Sequence, residues 1–209
     1  MRTMLYLLRH AATEANLAQP ALLQGRRDDP PLAPLGRRQA SATRDFLAVR
    51  PIDACYCSPL RRAFETAAIV AAPHGLTPVV VDALTECDIG AWEGLDWGTI
   101  RAQDPDAYSQ YMADPAVFAY PGGESFADVY RRSSSVLDRA LNEHAGQTIL
   151  AVTHHVVTRT YLAAMLGLPL KQARSVALEN CGISVVVRNG EITSVSTLNA
   201  AFHLQGVAA

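Results

Sequence analysis

Four short stretches rich in apolar residues, each of strand length, alternate along the chain with segments of helical periodicity. The first is continuously apolar rather than alternating, which is typical of a strand that is covered on both faces. Strands separated by helices predict a mostly parallel sheet with helices on either side. The predicted strands are Met4–Leu8, Ile52–Cys57, Val79–Val81 and Thr148–Val152.

Two helix starts are marked by capping residues. Ser58 followed by Pro59 predicts an N-cap and a first helical position, for a helix that runs to about Ala72. Ser125 and Asp128 stand three residues apart before an apolar periodic stretch, which is the spacing of a capping box. Helices of this kind would cover the sheet.

The C-terminal part of the chain predicts a hairpin. Two further strands, Ile183–Arg188 and Ile192–Leu198, flank Asn189 and Gly190, a pair that favours a type I′ turn. We therefore expect a three-layer α/β/α sandwich, with a mostly parallel sheet of about six strands and one antiparallel edge strand. A length of 209 residues suits a single domain over residues 1–209.

The charge and composition of the chain limit which binding partners and which cellular compartment are expected. A net charge of −2 and a pI of about 6.3 argue against a nucleic-acid groove and against binding to an anionic membrane surface. No apolar run reaches the roughly 18 residues of a membrane span, and the N-terminus lacks a signal-peptide pattern. The four cysteines show no CxxC spacing and are expected to be reduced core residues. These features predict a cytoplasmic protein.

Polar side chains follow three of the predicted strands. Arg9 and His10 end the first strand, Arg62 follows the second, and His154 with His155 follows the fourth. Because parallel strands place their carboxyl ends at one edge of a sheet, we expect these groups to meet there. This edge is where open α/β sheets bind ligands.

The residue types at this edge suit a phosphate-sized anion. Arg62 lies in the first turn of a predicted helix, where the helix dipole disfavours a cation by about 0.3–1 kcal/mol unless an anion is bound. Arginines bind phosphate oxygens in pairs of hydrogen bonds, and a neutral imidazole can attack phosphorus. We expect Arg9 and Arg62 to lower the pKa of His10 and keep it unprotonated.

Two other interpretations of the histidines remain. His10, His154 and His155 with a carboxylate could form a metal site, although the arginines would repel a divalent cation and no HxH or HExxH spacing occurs. Each histidine could instead be a core residue bonded to backbone carbonyls, which is a weaker account of three together.

Six ordered blocks of the sequence resemble the histidine phosphatase superfamily, in its phosphoglycerate mutase-like branch 1, and they span nearly the whole chain. The resemblance favours a phosphatase-type member of that branch. The blocks are Leu8–Asn16, Gln24–Asp28, Ser58–Ala67, Leu84–Gly94, Pro121–Ser125 and Val152–His154.

The resemblance implies a role for each matching residue. His10 would become phosphohistidine, and Glu86 would protonate the leaving oxygen and then activate water. Arg9, Arg62 and His154 would hold the phosphoryl group, assisted by the backbone amide after His154. The further substrate-binding residues implied are Asn16, Gln24, Gly25 and His155. No metal and no cofactor are implied.

Two positions depart from the family pattern. The family usually has glycine where this chain has Ala11, and again where it has His155. If either backbone required a positive φ, a side chain would cost about 1–2 kcal/mol. We expect both sites to be retained, because the contacts use backbone amides, and we expect His155 to add a side chain to the pocket rim.

Residues 88–123 are expected to form a lid that determines specificity. This segment has one basic residue, Arg101, against six acidic ones, which argues against substrates that carry several phosphates. Its aromatic residues would contact a small organic leaving group or pack a satellite core. We therefore expect a metal-independent phosphomonoesterase acting on small phosphate monoesters. A phosphoglycerate-type mutase and a catalytically silent binder are the alternatives, and a homodimer is left open.

Overall fold

The computed structural model describes residues 1–207, in which a six-stranded sheet lies between two layers of helices. The expected fold class, a mostly parallel α/β sandwich, is confirmed. The strands are β1 (Arg2–Arg9), β2 (Ala54–Cys57), β3 (Val79–Val80), β4 (Thr148–Thr153), β5 (Ile183–Asn189) and β6 (Ile192–Ala200). The helices are α1 (Glu14–Leu17), α2 (Pro34–Leu47), α3 (Arg61–Ala71), α4 (Trp97–Gln103), α5 (Pro105–Ala113), α6 (Phe126–Glu143) and α7 (His155–Met165).

The strand order places the first and fourth strands at the centre of the sheet. The order is β3-β2-β4-β1-β5-β6, and the first four strands of the chain run parallel. Arg9 pairs with Thr153, and Cys57 pairs with Val152, so three strands end at the same edge. The polar residues that follow these strands are therefore neighbours in space.

The hairpin differs in detail from its sequence prediction. The strand that runs against the others is β5, one position inside the sheet edge, and the edge strand β6 runs in the direction of β1. Asn189 pairs with Ile192, so the turn residues are Gly190 and Glu191. Gly190 has a φ of 58°, whereas Glu191 does not have a positive φ. The type I′ prediction is wrong, because that turn needs a positive φ at both central residues.

Both faces of the sheet are buried, which explains the continuous apolar run in β1. Leu5 and Leu7 contact the core beneath α6 and α7, whereas Tyr6 and Leu8 contact the core beneath α3. At about 25 cal/mol per Å² of buried apolar surface, a strand buried on both faces is strongly anchored. The end of β1 therefore provides a rigid base for the residues that follow it.

The two predicted helix starts had different outcomes. Ser125 caps α6, with reciprocal hydrogen bonds between its backbone and side chain and those of Asp128, so the predicted capping box is confirmed. The predicted start at Ser58 is wrong, since α3 begins at Arg61 and its N-cap is Leu60. The Ser58 hydroxyl instead accepts a hydrogen bond from the Leu60 amide and contacts His154.

The aromatic residues of the 88–123 segment pack against one another. Trp92 lies edge-on to Tyr111 and Tyr120, with ring centroids 5.5 and 5.7 Å apart. The hydroxyl groups of Tyr111 and Tyr120 share a hydrogen bond of 2.7 Å. These three residues belong to the main core beneath α6 and α7, so the expected separate satellite core does not form. The segment also includes the short helices α4 and α5.

Two further features concern membranes and thiols. Within residues 1–207, no helix combines the length and apolarity needed to cross a membrane. The thiols of all four cysteines are free and buried, as expected of reduced core residues, and two of them, Cys55 and Cys57, point to the same face of β2.

Gly36 provides a test of how closely α2 packs against the residues after β1. A Cβ atom at Gly36 would lie 2.0 Å from the carbonyl oxygen of Ala12. We expect Gly36→Ala to lower the free energy of unfolding by about 1–3 kcal/mol through overpacking, measured by urea denaturation. Gly98→Ala is the control, since its Cβ would meet only the Asp96 side chain. Equal stability of the two variants would contradict this packing.

Candidate active site

Three buried side chains meet at the carboxyl edge of the sheet. His10 follows β1, Arg62 lies in the first turn of α3, and His154 is the N-cap of α7. The ring centroids of the two histidines are 5.1 Å apart, and Arg62 is fully buried. Residues from the far ends of the sequence therefore form one compact polar cluster inside an apolar fold.

The tautomer of His10 follows from its hydrogen bond. Its Nδ1 lies 2.7 Å from the carbonyl oxygen of Ala11. Because a carbonyl can only accept, Nδ1 carries the proton and Nε2 keeps its lone pair. Burial lowers the pKa of His10 well below 6.5, and the charges of Arg62 and Arg9 lower it further. The expected effect of the arginines is present, but burial is the larger cause.

Arg62 is held by the loop that carries Gly25. Its Nη2 donates to the Gly25 carbonyl at 2.6 Å, and its Nη1 donates to the Asp28 carbonyl at 3.3 Å. The Gly25 amide donates to Glu93, so both backbone groups of Gly25 are used within the protein. Gly25 therefore positions Arg62, and a direct contact of Gly25 with substrate stays a prediction.

Glu93 holds this loop in place through its backbone amides. Its carboxylate accepts hydrogen bonds from the amides of Gly25, Arg27 and Asp28, at distances of 3.2, 3.1 and 2.9 Å. A side chain at position 25 would lie 2.6 Å from Ile89, so glycine is needed for this close approach. Glu93 thus orients the carbonyl groups that in turn orient Arg62.

Arg9 and His10 are both bound to the segment that precedes β5. Arg9 donates to the Leu178 carbonyl at 2.8 Å, and the Asn180 side chain donates to the His10 carbonyl at 2.9 Å. The Cys181 amide donates to the Arg9 carbonyl at 3.0 Å. Burial lowers the pKa of Arg9 to about 10, so the guanidinium stays charged near neutral pH.

His154 and Glu86 lie at the N-terminus of α7. The Nε2 atom of His154 shares a hydrogen bond of 2.7 Å with the Ser58 hydroxyl. The Glu86 carboxylate accepts hydrogen bonds from the amides of Cys87, at 2.8 Å, and of Val156, at 3.2 Å. The Val156 amide is thus bonded to Glu86, whereas the amide after His154 that the resemblance implies for phosphate is that of His155.

The loop before Glu86 is clamped by an arginine of α6. Arg132 donates to the carbonyl groups of Ala83, Thr85 and Glu86, and it forms an ion pair of 2.8 Å with Glu124. These bonds fix the backbone on which the Glu86 side chain is carried.

Asn16 and Gln24 present amide groups to the same cavity. Asn16 Oδ1 accepts from the Thr13 amide at 3.1 Å, and Gln24 Oε1 accepts from the Thr13 hydroxyl at 3.0 Å. Because both oxygens are occupied by donors, the NH₂ groups are the remaining polar atoms of these side chains. Both residues line the cavity that contains His10.

Several buried nitrogens around His10 have no hydrogen-bond partner within residues 1–207. Unpartnered buried polar atoms are costly and rare in folded proteins. A phosphate group bound beside His10 would supply acceptors for the N–H groups among them. The atoms are Arg9 Nε, Arg62 Nε, Gln24 Nε2, His154 Nδ1 and Arg159 Nε.

The cavity, of about 570 Å³, also includes residues that the sequence did not single out. Asn180 could not have been found from a motif, because its contact with His10 spans 170 positions. Arg159 lies one turn beyond His155 on α7, a spacing that could have drawn attention to it. The residues missed are Arg159, Arg174, Glu179 and Asn180.

The departures from the family pattern carry no backbone strain. Neither Ala11 nor His155 has a positive φ. The Ala11 amide donates to the Thr66 hydroxyl at 3.1 Å, and the His155 side chain lines the cavity. Within the described part of the chain, no three histidine, cysteine or acidic side chains cluster so as to hold a metal ion.

Comparison with known proteins agrees with this geometry. The sequence profile of the "Histidine phosphatase superfamily (branch 1)" matches residues 5–201. The chain belongs to this superfamily. The match includes His10, Arg62, Glu86 and His154.

Relatives within the superfamily include phosphatases and mutases. Phosphoserine phosphatase 1 of Hydrogenobacter thermophilus is 31% identical over 200 residues, which cover 96% of this chain and 93% of that protein. The probable phosphoglycerate mutase GpmB of Yersinia pestis is 32% identical over 181 residues, covering 87% and 83%. YhfR of Bacillus stearothermophilus has a solved structure with a TM-score of 0.88 and 32% identity, covering 97% of this chain and 99% of that one.

The buried histidines predict a loss of stability in mild acid. Burial is the largest cause that lowers the pKa values of His10, His154 and His155 well below 6.5. Below about pH 6.5 the unfolded chain binds more protons at these residues than the folded chain, so the free energy of unfolding falls as the pH falls. The slope is at most about 1.4 kcal/mol per pH unit for each histidine.

Urea denaturation at pH values between about 7.5 and 5.5 measures this slope, since most carboxylates stay ionised in that range. A His10→Asn variant removes one of the three groups and should show a shallower dependence. A wild-type stability that is flat over this range would contradict the buried, neutral state of the histidines.

Proposed function

We propose that the protein is a metal-independent phosphomonoesterase that hydrolyses small phosphorylated metabolites through a phosphohistidine on His10. The observation that carries this proposal is the Nε2 lone pair of His10, held beside the buried guanidinium groups of Arg9 and Arg62. A nucleophile of this kind can attack phosphorus while the arginines balance the charge of the equatorial oxygens.

In the first step, the Nε2 lone pair of His10 forms a bond to phosphorus as the bond from phosphorus to the ester oxygen breaks. The protonated Glu86 carboxyl gives its proton to that leaving oxygen, so the alcohol departs neutral. The His10 ring keeps its Nδ1 proton on the Ala11 carbonyl throughout. Arg9, Arg62 and the unpartnered Nδ1 of His154 are the groups placed to bind the transferring oxygens.

In the second step, the Glu86 carboxylate takes a proton from a water molecule. The water oxygen attacks phosphorus, the bond between phosphorus and Nε2 breaks, and inorganic phosphate leaves with His10 restored. Glu86 is suited to this double role because it lines the cavity next to His10 while its backbone is clamped by Arg132. Asn16, Gln24 and His155 line the same cavity as substrate-binding groups.

The relatives support a phosphatase or a mutase, and a mutase is the second candidate. Its specific support is the 32% identity to the probable phosphoglycerate mutase GpmB of Yersinia pestis. A mutase would return the phosphoryl group from His10 to the substrate, whereas a phosphatase releases inorganic phosphate.

We further propose that the 88–123 segment is the lid, because Trp97, Tyr111 and Tyr120 line the cavity.

Labelling of the enzyme tests the nucleophile. With p-nitrophenyl phosphate and a chelator present, wild-type protein should release inorganic phosphate and carry an acid-labile, alkali-stable phosphoryl group on His10, detected by mass spectrometry. His10→Ala should show neither. Glu86→Gln should accumulate the phosphoenzyme, because p-nitrophenolate leaves without a proton whereas water still needs a base, and turnover should fall by about 10²–10⁴.

His144→Asn is the matched control, since His144 lies at the end of α6 and bonds to Tyr56 rather than to the site. Retention of the phosphoryl label in His10→Ala would rule out the proposed nucleophile. Conversion of 3-phosphoglycerate into its 2-isomer without phosphate release would favour the mutase. Loss of activity with the chelator would overturn the metal-independent mechanism.

A second prediction concerns Glu93, because its loop contacts position Arg62. Glu93→Gln keeps the size of the side chain but loses the charge that accepts the three loop amides, so Arg62 should be held less firmly. We expect kcat to fall by about tenfold, because a small misplacement of a phosphate-binding group is costly. Steady-state kinetics measure this, and Glu143→Gln on α6 is the control. An unchanged kcat would show that the loop does not position Arg62.

A further inference from the structure

A second group of cations lines the cavity away from the residues that hold phosphate. Arg159, on α7, and Arg174, in the short 3₁₀ segment Leu170–Ser175, both contribute to its wall. Neither has a carboxylate within ion-pair distance in the described part of the chain. Neither is among the residues that the family resemblance implies for holding the transferring phosphoryl group.

Arg159 is a partly buried cation with unused hydrogen-bonding capacity. Its Nη2 donates to Nε2 of His155, and its Nε has no partner within residues 1–207. Burial is the largest cause that lowers the pKa of Arg159. Tyr111, Tyr120 and Glu86 raise it, and the nearby charge of Arg174 lowers it. Because no carboxylate in the described part of the chain lies within ion-pair distance of either arginine, the two like charges favour the binding of an anion between them.

Arg174 is fixed by contacts that leave its charge uncompensated. Its guanidinium carbon lies 5.8 Å from the Trp97 ring centroid and 5.6 Å from that of Tyr111, which are cation–π distances. Its Nη1 contacts the sulfur of Met112. An aromatic wall orients a guanidinium without neutralising it, so the planar group remains able to bind an oxyanion.

The charges of the cavity wall differ from those of the lid sequence. The six acidic residues of the 88–123 segment do not line the cavity, where the acidic residues are Glu86 and Glu179. Three arginines, Arg9, Arg159 and Arg174, line it. Because these six acidic residues do not line the cavity, the acidic composition of the segment is not an argument against substrates that carry several phosphates.

We propose that Arg159 and Arg174 form a second anion subsite, which selects phosphate monoesters whose leaving group carries a carboxylate or a second phosphate. This inference rests on the proposed function, since it concerns the leaving group of the same reaction. Arg159 is one helical turn, about 5.4 Å, beyond His155, and helical side chains lean towards the N-terminus.

Three esters that share a glycerol framework test the subsite. 3-Phosphoglycerate carries a carboxylate, glycerol 1,3-bisphosphate carries a second phosphate, and glycerol 3-phosphate carries a neutral hydroxymethyl group. Wild-type kcat/KM should favour at least one anionic ester over glycerol 3-phosphate by about tenfold or more, in line with charge-assisted hydrogen bonds. The preferred ester identifies which anion the subsite takes.

Arg159→Gln and Arg174→Gln should each lower kcat/KM for the preferred ester by about 10- to 100-fold, with a smaller loss for glycerol 3-phosphate. The effect should be mainly on KM, and Arg159→Lys should recover part of the preference. Arg101→Gln, in the lid but outside the cavity wall, is the control and should leave the ratio unchanged. Circular dichroism and thermal melting check that each variant is folded.

Two results would overturn the proposal: a wild-type enzyme without preference for an anionic leaving group, or variants that lower kcat/KM for all three esters equally. The second result would assign the arginines a packing role against Trp97 and Tyr111. If the wild type releases phosphate neither from these esters nor from p-nitrophenyl phosphate, the proposed function fails separately. The affinities of the same three compounds, measured by calorimetry, then test the subsite, which predicts tighter binding of the anionic compounds than of glycerol 3-phosphate.

Discussion

The parallel pairing of β4 with β1 and β2 is the constraint on which the site depends. Because Arg9 pairs with Thr153 and Cys57 pairs with Val152, three strands end at one level. A shift of one residue in this register would turn buried side chains to the opposite face, so the apolar cores on both faces hold it in place. The position of His10 relative to His154 is thus determined by packing far from the chemistry.

The parts of the fold and of the site that depend on local sequence patterns and on strand direction could be predicted from the sequence. The strand ends that carry His10, Arg62 and His154 were predictable, because a parallel sheet collects such ends at one edge. Asn180 was not, because its bond to His10 depends on where the connection before β5 crosses the site. The acidic composition of residues 88–123 misled for another reason: a count of charges does not tell which of them face the cavity.

The site combines several features that oppose folding. Arg62 is buried at the N-terminus of a helix, three imidazoles are kept neutral, and donors such as Arg9 Nε lack partners within residues 1–207. Each costs free energy that the apolar cores must offset. The same arrangement needs little reorganisation when an oxyanion binds, since the donors are already oriented. Preorganisation of this kind is a major source of catalytic power.

The contacts between the site and residues 178–181 connect ligand binding to the C-terminal hairpin. Arg9 donates to Leu178, Asn180 donates to His10, and the Cys181 amide donates to Arg9 immediately before β5. An anion that binds Arg9 and His10 stabilises their folded arrangement, and it thereby stabilises the anchor of β5 and β6. Local opening of this hairpin, which lies at the sheet edge, would release both residues. The hairpin therefore helps to hold Arg9 and His10 in place, and substrate binding should protect the hairpin amides from hydrogen exchange.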